Sequence, residues 1–167
     1  MRDEPMILVA VGANLPGPQG EHPQVGVRAA IAALGDLPGL RLVAVSRLYA
    51  TAPVPVSGQP PYVNAVARLA GRADPAWLLG RLLAIEAQGG RKRSIANAAR
   101  TLDLDLIAMG GLVRTAPDPI LPHPRAHQRA FVLVPLRDVA SGWVHPVLRR
   151  TVVDLIAALP PQGLELL

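Results

Sequence analysis

Arg100-Thr101-Leu102-Asp103-Leu104-Asp105-Leu106 carries the sharpest chemical signal in the chain. On a strand, Asp103 and Asp105 project from one face while Leu102, Leu104 and Leu106 project into the core. Two carboxylates one strand repeat apart, roughly 7 Å between Cα atoms, repel each other and raise one another's pKa unless a cation sits between them. Hard oxygen ligands on a rigid element, with positions left open, suit Mg2+ held jointly with substrate phosphates. An exposed strand face whose acids pair with nearby arginines has the same spacing, so spacing alone leaves both readings open.

The residues just upstream bear on that choice. Residues 81–100 hold Arg81, Arg91, Lys92, Arg93 and Arg100 against Glu86 alone, so four of the chain's five net positive charges fall there. Guanidinium groups beside metal-holding carboxylates are what phosphoryl transfer requires, since cations neutralise the phosphate oxygens while the metal bridges them. Neither a GxxxxGK[ST] loop nor a GxGxxG fingerprint occurs, which excludes the P-loop and protein-kinase types of nucleotide site. Pro122-His123-Pro124-Arg125 and Arg129-Ala130-Phe131-Val132-Leu133 add a histidine and two arginines; His123 reads either as a phosphate or nucleotide contact or as a structural histidine at a Pro-rich turn. Tyr62 and Asn64 offer a ring to line a pocket and an amide to pair with a heterocycle edge, or else a half-buried strand end.

These side chains need elements to position them. Met6–Val11, an apolar run closed by Gly12, reads as a buried strand, and Val27, Ile31 and Leu34 mark a helix from about Gln24 to Leu34 stopped by Gly35. Leu40–Tyr49 reads as a second strand, and Ala52–Pro61, with four prolines, as an exposed loop. Tyr62–Leu69 reads as a third strand, with Tyr62, Asn64, Val66 and Arg68 on one face and Val63, Ala65, Ala67 and Leu69 on the other. Asp74-Pro75 caps a helix carrying Leu78, Leu82 and Ile85 that ends at Gly89-Gly90, followed by a basic loop over Gly90–Ala99. Leu102–Met109 reads as a fourth strand, Ala116–Pro124 as a connection, and Ala130–Val134 as a fifth strand. Pro146 precedes a final helix with Leu148, Val152, Leu155 and Leu159 on its stripe. This order predicts an α+β fold, a ferredoxin-like antiparallel sheet with a β-α-β-β-α-β core, helices packed on it and appended C-terminal elements.

Composition sets the outer limits. The chain's 167 residues, 50% hydrophobic and 17% charged, suit one globular domain over 1–167 with its core at about 6–159. The absence of cysteine excludes a disulfide scaffold, a thiolate nucleophile and a Cys-ligated zinc site. No apolar run approaches a membrane span, and Met6–Val11 is too short for a signal-peptide core, so the expectation is a cytoplasmic protein without a membrane partner.

In this order and spacing, the residues resemble the 6-hydroxymethyl-7,8-dihydropterin pyrophosphokinase family of folate biosynthesis. The segments are Gly12-Ala13-Asn14-Leu15, Ser46-Arg47-Leu48-Tyr49-Ala50-Thr51, Gln59-Pro60-Pro61-Tyr62-Val63-Asn64, Ile85-Glu86 with Gly90-Arg91, Arg100 through Leu106, Pro122 through Arg125, and Arg129 through Leu136. The resemblance implies Mg-dependent transfer of pyrophosphate from ATP to the pterin hydroxymethyl group, releasing AMP. It implies two Mg2+ ions on Asp103 and Asp105, and a pterin gripped by residues matching Thr51, Pro53, Val54, Tyr62, Asn64 and Phe131. ATP would meet Glu86, Arg91, Arg93, Arg100, Leu106, His123 and Arg129. Arg91, Arg93 and Arg100 would join the two aspartates in catalysis, with Arg91 and Arg93 on a closing loop. Where the family usually shows Trp-Gly-Pro, this chain has Asn97-Ala98-Ala99, a departure that bears on lid closure and pterin sealing while leaving the carboxylates intact. Ala52 and Pro55 also stand where proline and glycine are common in the family.

Two other classes fit parts of the pattern. An RNA-binding module shares the element order and basic charge, but its sheet stacks bases on aromatics. Here the strands offer almost none, and acids that would repel phosphate occupy one of them. A catalytically impaired relative with a binding or scaffold role would also carry the motifs. The expectation is an active, monomeric enzyme whose partners are ATP and the pterin, with no nucleic acid.

Overall fold

In a computed structural model, residues 4–17, 19–51, 61–89 and 102–167 are described. The first apolar run forms β1 (Met6–Ala13), the helix that follows is α1 (Pro23–Gly35), and the Leu40–Tyr49 segment yields β2 (Leu40–Val45) and β3 (Tyr49–Thr51). Then come β4 (Tyr62–Gly71), α2 (Pro75–Gln88), β5 (Asp103–Met109), α3 (Ala130–Val139), α4 (Val152–Ala157) and β6 (Leu164–Leu166). The strands make one six-stranded antiparallel sheet in the order β5-β1-β4-β3-β6, with β2 also paired to β4.

Strand alternation divides the core in two. Ile7, Val9, Val11, Ala65, Ala67, Leu69, Leu102, Leu104 and Leu106 bury their side chains on one face, under α1 and α2. Leu8, Val66, Ile107 and Ala108 pack on the other, against Val132, Leu133 and Leu136 of α3 and Val152 and Leu155 of α4. Each fully buried aliphatic side chain contributes roughly 1.5–3 kcal/mol. The register slips between Leu8 and Val9, which pair with Ala108 and Leu106. This is where β5 changes from alternating burial to burial throughout.

Helix ends follow the sequence signals. Asp74 accepts a hydrogen bond from Trp77 N–H at the start of α2, ahead of Pro75 at the first helical position. Gly89 caps α2 where a Cβ would lie 2.8 Å from Leu102 Cδ2, so its small size lets the helix end meet the residue that leads into β5.

Three elements differ from expectation. The Leu40–Tyr49 strand is broken because Ser46 Oγ takes the N–H of Val66 (2.8 Å) and itself donates to Arg47 O (2.7 Å), ending the β2 ladder and letting β3 start afresh. The segment expected as a fifth strand, Ala130–Val134, is the first half of α3. Its β-branched residues and Pro135 suggest extended chain, but the buried positions Val132, Leu133, Leu136 and Val139 follow a helical period. The last helix begins at Val152, capped by Thr151, and Leu148 is exposed. Residues 52–60 and 90–101, which take in most of the loop expected over Ala52–Pro61 and all of the basic loop expected over Gly90–Ala99, lie outside the described residues.

Candidate active site

One row of the sheet assembles the chemistry. Gly12 of β1 pairs with Asp103 of β5 on one side and Asn64 of β4 on the other, and Asn64 pairs in turn with Tyr49 of β3. Ala10 likewise faces Asp105, and Tyr62 faces Thr51. Asp103, Asp105, Asn64, Tyr62 and Thr51 therefore share the face that carries α3, near the end of the sheet to which Gly12 belongs.

Gly12 permits this row. A Cβ there would come within 2.9 Å of Asn64 Oδ1, so a larger residue would displace the Asn64 amide. That amide is buried and oriented: its Nδ2 donates to Thr51 Oγ1 at 2.9 Å, leaving the hydroxyl hydrogen of Thr51 to be given elsewhere. An amide fixed in this way presents a defined donor and acceptor pattern to a flat heterocycle.

Asp105 has a histidine and an arginine beside it. Its Oδ1 lies 3.9 Å from His123 Nε2 and its Oδ2 lies 3.9 Å from Arg129 Nη1. Burial, followed by the charges of Arg129 and Arg125, pushes the His123 pKa down from 6.5 to about 4, against a smaller lift from Asp103. His123 is therefore neutral at pH 7, and the contact with Asp105 joins an imidazole, not an imidazolium, to a carboxylate. Its Nδ1 accepts from Arg125 N–H (3.1 Å), which places the ring proton on Nε2, toward Asp105. Its backbone N–H donates to Ile107 O at 2.8 Å, holding it beside the outer edge of β5. Arg129 immediately precedes α3, its guanidinium carbon 5.4 Å from the centre of the Phe131 ring in that helix's first turn. The structure thus brings Asp105, His123, Arg129 and Phe131 together, with Phe131 presented by a helix.

Glu86 and Leu106 fall behind this face. Glu86 is 2% exposed, and its Oε2 accepts the N–H of Leu104 at 2.7 Å, bracing β5 between the two aspartates. The Leu106 side chain is buried with Leu102 and Leu104 in the α1/α2 core. Pro53, Val54, Arg91, Arg93 and Arg100 lie outside the described residues.

Sequence reasoning assigned no role to Asp138. It accepts from Arg47 Nη2 (3.0 Å), Arg47 N–H (3.2 Å) and Tyr49 Oη (2.7 Å), tying α3 to β3. Burial would raise its pKa, but the hydrogen bonds from Arg47 and Tyr49 outweigh that and hold the carboxyl below its ordinary range. A carboxylate on a helix facing a Tyr-bearing strand was readable only once that segment was known to be helical.

The donor set on β5 suits a hard divalent cation. Asp103 and Asp105 are partly exposed, rigidly held and on one face. Among the described residues no group of three or more His, Cys, Asp or Glu could hold a metal ion.

Comparison with known proteins decides the family. Residues 8–141 match the family model described as 7,8-dihydro-6-hydroxymethylpterin-pyrophosphokinase (HPPK). The chain belongs to this family. A 2-amino-4-hydroxy-6-hydroxymethyldihydropteridine pyrophosphokinase of Pseudomonas aeruginosa is 41% identical over 159 residues, covering 95% of this chain and 94% of the relative. The Haemophilus influenzae protein of the same description is 37% identical over 138 residues, covering 83% of each. Among solved structures, an HPPK-DHPS in complex with substrates matches 94% of this chain with a TM-score of 0.68 at 10% identity. Plasmodium falciparum HPPK-DHPS, wild type with SDX-DHP, matches 92% with a TM-score of 0.66 at 13% identity. The chain spans 43% of each of those two solved chains, and at such identity the likeness is one of fold: mixed helix and antiparallel sheet. HPPK membership makes the chain a pyrophosphokinase of folate biosynthesis. Among the described residues no helix is long and apolar enough to cross a membrane.

Proposed function

We propose that this chain transfers pyrophosphate from ATP to the hydroxymethyl oxygen of 6-hydroxymethyl-7,8-dihydropterin. A bond forms between that oxygen and the β-phosphorus while the bond from the β-phosphorus to the α,β-bridging oxygen breaks. AMP leaves, and the hydroxyl proton passes to solvent. The observation that carries this reading is the pair Asp103 and Asp105 on the open face of β5, with His123 and Arg129 each 3.9 Å from Asp105, in a chain of this family.

Asp103 and Asp105 would hold Mg2+, two ions on this reading, which when bound with the triphosphate supplies charge neutralisation and alignment of the attacking and leaving oxygens. His123 Nε2–H and the Arg129 guanidinium donate to phosphate oxygens, joined by Arg91, Arg93 and Arg100 from the basic loop, with Arg91 and Arg93 closing over the site to exclude water. Glu86 and Leu106 serve the nucleotide side from behind it, Glu86 by keeping β5 in place and Leu106 by filling the core beneath Asp105. Asn64, with its amide oriented by Thr51, reads the aminopyrimidinone edge, and Tyr62, Phe131, Pro53 and Val54 wall the ring. The fold is read as a ferredoxin-like core, supported by the antiparallel order β5-β1-β4-β2 with α1 and α2 on one face. One domain over 1–167, a monomeric state, a cytoplasmic location and small-molecule partners only belong to the same reading.

Incubation with ATP, Mg2+ and the reduced hydroxymethylpterin, followed by phosphorus NMR, tests it. AMP and the pterin diphosphate are expected in equal amounts. ADP with a pterin monophosphate, or no reaction where a control enzyme turns over, would refute it.

A further inference from the structure

Beyond α4, the side chain of Gln162 reaches back to both sides of Arg129. Its Oε1 accepts the N–H of Ala130 at 2.8 Å, and its Nε2 donates to the carbonyl of Gln128 at 3.1 Å. Ala130 opens α3, and the first N–H groups of a helix have no partner within it. An N-cap Ser, Thr, Asp or Asn would ordinarily supply one, but Arg129 holds that place and makes no capping hydrogen bond. The cap instead comes from 32 residues away. The same segment continues into β6, which pairs with β3 through Leu164↔Thr51 and Leu166↔Tyr49, and Leu167 N–H donates to Leu48 O at 2.9 Å. It is thus fastened both to the helix start that bears Arg129 and Phe131 and to the strand that bears Thr51.

We infer that Gln162 is a positioning residue for ATP, acting through Arg129. The inference rests on the proposed assignment of Arg129 to the nucleotide. Arg129 is backbone-extended (φ −121°, ψ 109°) between a 3₁₀ turn at Ala126–Gln128 and α3; its own N–H donates to Ala126 O (3.2 Å) and its carbonyl accepts from Val132 and Leu133 N–H, while Gln162 holds the flanking Gln128 carbonyl and Ala130 N–H. Clamping the peptide groups on either side fixes the direction in which its long side chain leaves the backbone. Without the clamp the guanidinium samples more orientations, and binding ATP must bear the cost of ordering it. A neutral amide is suited to the task, because it donates and accepts at once and adds no charge beside the arginine. Gln162 lies outside the stretch matched to the family model, which ends at residue 141.

The test is a double-mutant cycle on KM for ATP with Gln162→Met, Gln162→Ala, Arg129→Ala and the double variant Gln162→Met/Arg129→Ala, alongside kcat, KM for the pterin and Tm. Methionine keeps the length of the side chain and loses both hydrogen bonds. Gln162→Met and Gln162→Ala should each raise KM for ATP about three- to tenfold, with kcat and the pterin KM near wild type. Gln162→Met should add nothing once Arg129 is alanine. The inference is overturned if Gln162→Met keeps the wild-type KM for ATP, if it lowers Tm alone, or if its full effect persists in the Arg129→Ala background. Those results leave the proposed function standing. An unchanged KM for ATP in Arg129→Ala would instead remove Arg129 from the nucleotide site, and the inference with it.

Discussion

The two faces of β5 are made by one short stretch of chain and do opposite work. Toward α1 and α2, Leu102, Leu104 and Leu106 are each less than 5% exposed, and the buried carboxylate of Glu86 accepts the N–H of Leu104. Toward the open side, Asp103 and Asp105 stand partly exposed beside His123 and Arg129. The dry face fixes the strand so that the wet face can hold like charges close together without the backbone yielding. Substitutions on the two faces should therefore fail in different ways.

The largest expected effect is on the open face. Asp103→Ala or Asp105→Ala should lower kcat by about a thousandfold or more, while circular dichroism and Tm show the fold retained. Across the strand, Leu104→Ala should cost about 3 kcal/mol in a urea unfolding experiment and leave KM for ATP in the folded enzyme close to wild type. If Leu104→Ala abolished turnover without loss of stability, the division between the faces would be wrong. Glu86→Ala sharpens the boundary, since it leaves a buried N–H unpaired. A loss of about 2 kcal/mol is expected, with any rise in KM for ATP following from the loosened strand. A large rise in KM with unchanged stability would place Glu86 in direct contact with nucleotide.

The smallest effect concerns pH. The folded-state pKa of His123 is depressed from 6.5 to about 4. Between those values the unfolded chain binds the proton and the folded one does not, so stability rises with pH through the window and is lost as pH falls. Without metal or nucleotide, the protein should lose about 2 kcal/mol between pH 7 and pH 5. His123→Gln should flatten that slope, as followed by denaturant midpoints, and an unaltered slope would count against the buried, neutral imidazole.

Much of the site was legible because strands and helix caps write themselves in short range. Alternation alone put Asp103 and Asp105 on one face and Leu104 on the other, and Asp74-Pro75 announced α2. What stayed hidden depends on partners distant in sequence. The N–H held by Glu86, the room that Gly12 leaves for Asn64, and the cap that Gln162 gives Ala130 each join residues from separate elements. The Phe131–Val134 run misled for a different reason. Its β-branched residues favour a strand locally, and only packing of Val132, Leu133 and Leu136 against the second core makes it a helix.

The claim that the open face of β5 is a metal and phosphate platform is tested most directly by Mn2+ binding, read by electron paramagnetic resonance with a non-hydrolysable ATP analogue present. The wild-type chain should bind two ions, and the Asp103→Ala/Asp105→Ala variant should lose them while keeping its circular dichroism spectrum. Unchanged stoichiometry and affinity in that folded variant would contradict the account.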